Sequence, residues 1–241
     1  NLSTITNRGV LWTTGANYGN ISNITAFVNN TNSYGIYLES SSNNTVSGTG
    51  NSNTSIGIYL YSSSNSIVSG TGNSNTSLGI YLSSSSNNIV SGTGNSNTNV
   101  GIRLDSSSNN NISGTGNSNT SIGIYLLSSS NNNISGTGNS NTNIGIYVQS
   151  SSNNNITGKF NTNSTTSTIG DILVRDSSSN NTFINIDYTK PRKITLYDNV
   201  SQYNFSNGSN VFVSTQNIGT SLTTLTTNRS LFNWTQSNIT F

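Results

Sequence analysis

The stretch SIGIYLYSSSNSIVSGTGNSNT, residues 55–76, decides the fold, because close copies of it return every 22 residues. GIYL starts at Gly35, Gly57, Gly79 and Gly123, with GIRL at Gly101 and GIYV at Gly145. Five copies of SGTGNSNT, starting at Ser47, Ser69, Ser91, Ser113 and Ser135, hold the same register. Further out the period loosens: Gly9 precedes Gly35 by 26 residues and Gly170 follows Gly145 by 25. Self-similarity at a fixed period of this length marks a stacked-repeat architecture. The spacing predicts about eight coils of 22 residues, with insertions in the first and the seventh.

Within a coil the apolar positions alternate, as in a strand, and nothing recurs at helical spacing. Alternation predicts Ile56, Ile58 and Leu60 on one face and Gly57 and Tyr59 on the other. After the polar turn Ser62 to Ser66, Ile67 and Val68 begin a second short strand, with Val68, Gly70 and Gly72 inward and Ser69, Thr71 and Asn73 outward. One such coil buries about four aliphatic side chains and cannot be stable alone; a stack can, because each strand pairs with its equivalents above and below. The expected interior rows are Ile36, Ile58, Ile80, Ile102, Ile124 and Ile146, and beside them Leu38, Leu60, Leu82, Leu104, Leu126 and Val148. At roughly 4.8 Å per coil, eight coils give a rod about 38 Å long.

Stacking in register also accounts for the composition. The chain holds 47 Asn, 48 Ser and 33 Thr, 128 of its 241 residues. Columns of Asn can hydrogen-bond along their length, and Asn and Ser suit tight turns. Charged residues are 6% and apolar residues 29%, well below the usual ~25% and ~45–50% of a soluble domain. Low hydrophobicity in disordered chains comes with high net charge, whereas this chain carries only +2. That charge is too small to argue for a nucleic-acid partner, and Lys190, Arg192 and Lys193 around the single proline read as a solvated turn. No run approaches the ~18–20 apolar residues of a membrane helix. A chain that lacks Met and starts at Asn1 reads as a processed protein or a fragment of a longer one.

The pattern GIYLxSSSNNxISG resembles the parallel β-helix repeats of the NosD-like and carbohydrate-binding/sugar-hydrolase group, above all the Asn- and Ser-rich versions in secreted surface proteins of methanogenic archaea. The resemblance covers roughly residues 9–186. It implies an all-β, single-stranded, right-handed parallel β-helix. The expected division is an N-terminal cap or exchanged strand at 1–8, the β-helix at 9–186, and a C-terminal β cap, small β-module or assembly segment at 187–241. The tail carries short apolar alternations such as Ile194 and Leu196, Val211 and Val213, and Phe232 and Trp234.

Enzymes of that group rely on clustered carboxylates. The acids here are Glu39, Asp105, Asp171, Asp176, Asp187 and Asp198. Glycosidase chemistry needs two carboxyls about 5–9.5 Å apart. Glu39 and Asp105 share a repeat position but lie three coils apart, about 14 Å at the strand spacing. Asp171 and Asp176, with Arg175 between them, read as a salt-bridged coil edge. His, Cys and Met are all absent, which removes the commonest general base and every soft metal ligand, and with them the copper binding that the NosD name implies. The expectation is a protein that is not an enzyme and holds no cofactor or metal.

Two outward features remain. Tyr37, Tyr59, Tyr81, Tyr125 and Tyr147 form a column interrupted by Arg103; it is an interaction surface, or simply a set of rings stabilising one another across strands. Sequons are the other. Asn1 opens one, and the glycosylation candidates are Asn20, Asn23, Asn29, Asn43, Asn53, Asn75, Asn111, Asn119, Asn133, Asn155, Asn163, Asn180, Asn199, Asn204, Asn207, Asn228, Asn233 and Asn238. In Asn111-Ile112-Ser113 the apolar residue points inward, leaving Asn and Ser outward where a glycan fits. The leading expectation is a secreted, N-glycosylated structural protein, extracellular or at the cell surface, polymerising head to tail into a filament, sheath or surface layer. The alternative is an adhesin, or an ice- or glycan-binding solenoid, using the Tyr column or the hydroxyl lattice of Ser47, Thr49, Ser69, Thr71 and their repeats.

Overall fold

The computed structural model describes residues 8–52, 55–74, 77–96, 99–118, 121–140, 143–162, 172–176, 178, 181–187, 192–196, 203–205, 211–214 and 232–234. They build a β-solenoid with parallel strands. One sheet has ten strands, from Arg8–Trp12 through Tyr34–Glu39, Ile56–Tyr61, Leu78–Ser83, Val100–Asp105, Ile122–Leu127 and Ile144–Gln149 to Ile172–Arg175, Arg192–Leu196 and Val211–Ser214. A second wall collects the short strands, such as Ile67–Val68 and Thr71–Ser74, in each coil. Equivalent residues pair across every junction, Ile58 with Ile80 and Ile80 with Ile102.

Six turns keep the 22-residue spacing; the steps from Val10 to Ile36 and from Ile146 to Ile172 are longer, at 26, where the insertions in the first and seventh coils are expected, and the long sheet counts ten strands against the eight coils expected. The stack also runs past residue 186. Ile194 pairs with Ile172 and Val213 with Ile194, both in parallel, and Tyr203–Phe205 pairs in parallel with Phe232–Trp234. Most of 187–241, and residues 1–7, lie outside the described residues.

Both expected rows are interior: Ile36 to Ile146 and Leu38 to Val148 have no solvent exposure. A third row, Val46, Val68, Val90, Ile112, Ile134, Ile156 and Phe183, closes the core against them. The expectation for Ile56 fails. Ile56, Leu78, Val100, Ile122 and Ile144 form a separate cluster with the tyrosines, apart from Ile58 and Leu60. The cause is the glycine between them. Gly79 faces the interior, where an added Cβ would lie 2.6 Å from the Cα of Gly94 on the opposite wall. Alternation is broken there, and the residue before the glycine takes the side of the tyrosine.

The corner after each long strand is polar and buried. Its conformation is set by two left-handed residues, Ser62 (φ 49) and Asn65 (φ 54), repeated as Ser84 and Asn87, Ser106 and Asn109, and onward. Asn accepts that region more readily than most residues because its short side chain bonds locally. The residue after each of them, Ser63 and Ser66, turns inward and is buried. Burial of polar groups is tolerated only with partners, and here the partner is always the neighbouring coil. The backbone N–H of Ser41 donates to Oγ of Ser63, Ser63 to Ser85, and so on through Ser107, Ser129, Ser151 and Ser178, at 2.8 to 3.0 Å. Beside this runs an asparagine ladder. Asn88 donates its N–H to Oδ1 of Asn110 at 2.8 Å and its Nδ2 to the same oxygen at 3.2 Å; Asn110, Asn132 and Asn154 repeat both bonds, ending on Asn181.

One rung is missing. Between Asn44 and Asn88 the column holds Ser66, whose Oγ takes the backbone N–H of Asn44 at 3.1 Å but is too short for the side chain, so Asn44 Nδ2 is buried without a protein partner. Ser66→Asn is expected to raise stability by about 1 kcal/mol, the net worth of one such bond; an unchanged denaturation midpoint would show that the gap is already satisfied. Conversely, Ile102→Asp or Leu104→Asp places an unpaired charge in the apolar rows and costs several kcal/mol, so either variant is expected to lose the cooperative thermal transition, which circular dichroism reads directly.

Candidate functional site

The outer side of the long sheet carries the tyrosine column. Tyr37 and Tyr59 stack at 5.0 Å, Tyr59 and Tyr81 at 4.8 Å with planes 6° apart, and Tyr125 and Tyr147 at 4.6 Å and 3°. Arg103 fills the break, its guanidinium carbon 5.3 Å from the ring centres of both Tyr81 and Tyr125. Arg8 covers the N-terminal end, 4.9 Å over Tyr37. The result is one stack of π faces and guanidinium planes of the cation–π type. Its ring faces are therefore spent on one another, and what remains for a ligand is phenol edges and hydroxyls. Sugar platforms use ring faces, so this geometry favours mutual stabilisation of the rings over the binding reading of the column.

Arg103, Asp105, Arg175 and Asp176 on this face are paired locally. Asp105 binds Arg103 at 2.9 Å and accepts the Tyr81 hydroxyl at 3.3 Å. Arg175 binds Asp176 at 3.1 Å, and Asp176 also accepts Gln149 Nε2, while Gln149 Oε1 accepts the Tyr125 hydroxyl. Asp176 thus sits in an ion-paired coil edge; Asp171 and Asp198 lie outside the described residues, and of Asp187 only the backbone is described. Among the described residues no three metal-binding side chains come together, and no helix is long and apolar enough to cross a membrane.

The hydroxyl lattice is present as rows. Ser47, Ser69, Ser91, Ser113 and Ser135 are exposed, and Thr49, Thr71, Thr93, Thr115 and Thr137 are half-buried. The chain bends between the rows: Ser69 N–H and Gly70 N–H both donate to the Val46 carbonyl, and Ser91 and Gly92 both to Val68. Ser and Thr therefore flank a corner rather than tile one plane, which removes the flatness that an ice or crystal contact needs.

Sequon asparagines behave uniformly. Asn20, Asn23, Asn29, Asn43, Asn111, Asn133 and Asn155 are all exposed. Of the corner asparagines that belong to no sequon, Asn44, Asn88, Asn110, Asn132, Asn154 and Asn181 are buried, whereas Asn65, Asn87, Asn109, Asn131 and Asn153 are exposed. The side chains of Asn53, Asn75, Asn119, Asn163, Asn180, Asn199, Asn204, Asn207, Asn228, Asn233 and Asn238 lie outside what is described. What sequence reasoning missed is Arg8 and Arg103 as members of the aromatic stack; Arg103 at a tyrosine position of the repeat was the available signal.

Burial, more than any neighbouring charge, pushes the stacked phenols up: Tyr37 and Tyr147 to about 12, with Tyr59, Tyr81 and Tyr125 also raised. In the unfolded chain a phenol ionises near ~10. Protons are thus held more tightly in the fold, and the stabilisation is complete below the unfolded value and lost as pH rises through the folded ones. The expected outcome is an alkaline unfolding transition between about pH 10 and 12, with the column tyrosines becoming phenolate in the same step. Isotope-labelled tyrosine NMR checks it; phenolate at Tyr37 or Tyr147 in an intact fold near pH 10 would contradict the packing.

A family model described as periplasmic copper-binding protein (NosD) matches residues 17–221. It spans the six regular turns and extends into the tail beyond residue 186, further than the repeat itself is legible. No curated protein and no solved structure matches. Copper is a poor fit to these 241 residues, which contain no His, Cys or Met to serve as ligands. In fold and over most of its length, the chain belongs to the NosD family of parallel β-helix repeat proteins.

Proposed function

We propose that this chain is a secreted, N-glycosylated structural protein of the cell surface, a non-enzymatic building block of an extracellular filament, sheath or layer. The observation that carries it is the exposure of the sequon asparagines: every described one is exposed, on outward positions of strands and turns, where a glycan meets no steric obstacle from its own coil. The family's periplasmic description agrees with a location outside the cytoplasm. Further support comes from the chemistry left on the surface, since the described carboxylates with partners are paired to arginine or bonded to neutral side chains. Arg8–Trp12 begins the long sheet, and a strand at a sheet end with only one charged residue is an open template for strand addition. A head-to-tail contact of that kind repeats without closing and makes a filament.

Negative-stain microscopy and sedimentation of the native protein test this reading. Filaments or a lattice are expected, and removal of residues 187–241 is expected to abolish the polymer or leave aggregating rods. A species that stays monomeric at high concentration, with and without its glycans, would eliminate the filament.

A further inference from the structure

We propose that Asn111, Asn133 and Asn155 form one modification column in which N-glycans occupy alternate coils and never adjacent ones. The inference rests on the glycosylation part of the reading above. The three asparagines pair in register on successive coils, Asn111 with Asn133 and Asn133 with Asn155. All are exposed, and their amides are bonded to each other: Asn133 Nδ2 donates to Asn111 Oδ1 at 3.4 Å, and Asn155 Nδ2 to Asn133 Oδ1 at 3.2 Å. One Nδ2 hydrogen thus lies along the column, and the other points away from it.

Glycosylation replaces that second hydrogen. A phosphate-activated saccharide is the co-reactant. The bond from Nδ2 to the sugar's anomeric carbon forms, the bond from that carbon to the phosphate oxygen breaks, the phosphate carrier leaves with the electron pair, and the amide proton passes to base. The sugar begins in the amide plane, which the ladder holds along the rod axis. Its neighbour begins one coil away, about 4.8 Å, and a pyranose ring with its substituents is wider than that. A folded column therefore rejects a second transfer beside an occupied site, and a chain already modified on adjacent coils closes the ladder only by breaking it. Two coils of separation remove the conflict.

The same column supplies a control. Asn20 pairs with Thr45, followed by Ile67 and Ile89 before Asn111 is reached. Asn20-Ile21-Ser22 has the same geometry, with Asn20 exposed and Ile21 buried, and no adjacent sequon competes with it in the column.

The experiment is site-resolved glycopeptide mass spectrometry on folded protein secreted by a glycosylating host. Cleavage after Arg103 and Lys159 releases one peptide carrying all three asparagines, so adjacency is read on single molecules. Asn20 is expected to be occupied; the peptide also holds the Asn119 sequon, which lies outside the column, and whatever Asn119 carries, sugar is expected on Asn111 and Asn155, or on Asn133 with neither of them. In the variant Ser113→Ala with Thr157→Ala, which removes the two outer sequons and leaves the amide ladder, Asn133 occupancy is expected to rise to that of Asn20. Sugar on both Asn111 and Asn133 of one folded molecule, or an unchanged Asn133 in a variant that melts like the parent, overturns the column rule while glycosylation stands. Absence of sugar from Asn20 and from all three column asparagines overturns both.

Discussion

The structure depends on hydrogen bonds that no coil can make for itself. At each polar corner the backbone N–H of a buried residue is answered by a side chain one coil further along, Ser63 by Ser85 and Asn88 by Asn110. Because an unpaired buried amide is costly, a corner can turn inward only if the next corner does the same with a residue of the same reach. Register follows from this. Once Ser and Asn are fixed at the corner, Ile58 must meet Ile80 and Leu60 must meet Leu82, and the apolar rows become continuous. The hydrophobic effect supplies the driving force, but the direction-dependent polar ladder forbids a slip by one residue, which would turn the interior side chains outward.

The same constraint explains why the chain has so few charges. A charged residue repeated at one position would set like charges about 4.8 Å apart along a column, with repulsion on the order of 1 kcal/mol even in water and more near the protein. In the regular coils charged side chains are therefore not repeated on adjacent coils: Arg103 stands in the tyrosine column bracketed by two rings, and Asp105 beside it, where it neutralises the guanidinium. A charged content of 6% is thus a property of the architecture, and it would be a mistake to take it as a statement about ligands. Departures from identity are where the stack is weakest or most specialised. Ser66 leaves Asn44 Nδ2 without its rung, and Phe160 and Phe183 fill the interior where later coils lose the glycine and valine pattern.

Period, rows and strand pairing were legible because each rests on spacing alone, and 22-residue copies leave no freedom in it. Ile56 was misplaced because alternation presumes an unbroken strand, and only the close approach of Gly79 to Gly94 reveals that the glycine faces in. The left-handed corner residues were not legible as such: SSSNN reads as a turn, yet nothing in the letters says that Ser63 is buried while Ser62 is exposed. In the candidate site, the tyrosine column was visible from its period, but ring orientation was not, and orientation is what decides whether a ring faces a ligand or its neighbour. The tail resisted for the plainest reason: its strands pair at steps of 22 and then 19 residues, and without a constant period the repeat cannot be seen in sequence.

A solenoid divides its residues into two populations with different obligations. Inward columns answer to the coils above and below, and a change at one coil is felt by two others. Outward columns answer to solvent, so a single column runs Asn20, Thr45, Ile67, Ile89, Asn111, Asn133, Asn155, Thr182 without disturbing the pairing beneath it. Membership of a β-helix family is carried by the first population and chemistry by the second. That separation is why the chain can share the fold of a family described as copper-binding while possessing none of the soft ligands that copper chemistry uses. Functional argument for such a protein has to be made column by column on the outside, from exposure, spacing and what one coil's side chain does to the next.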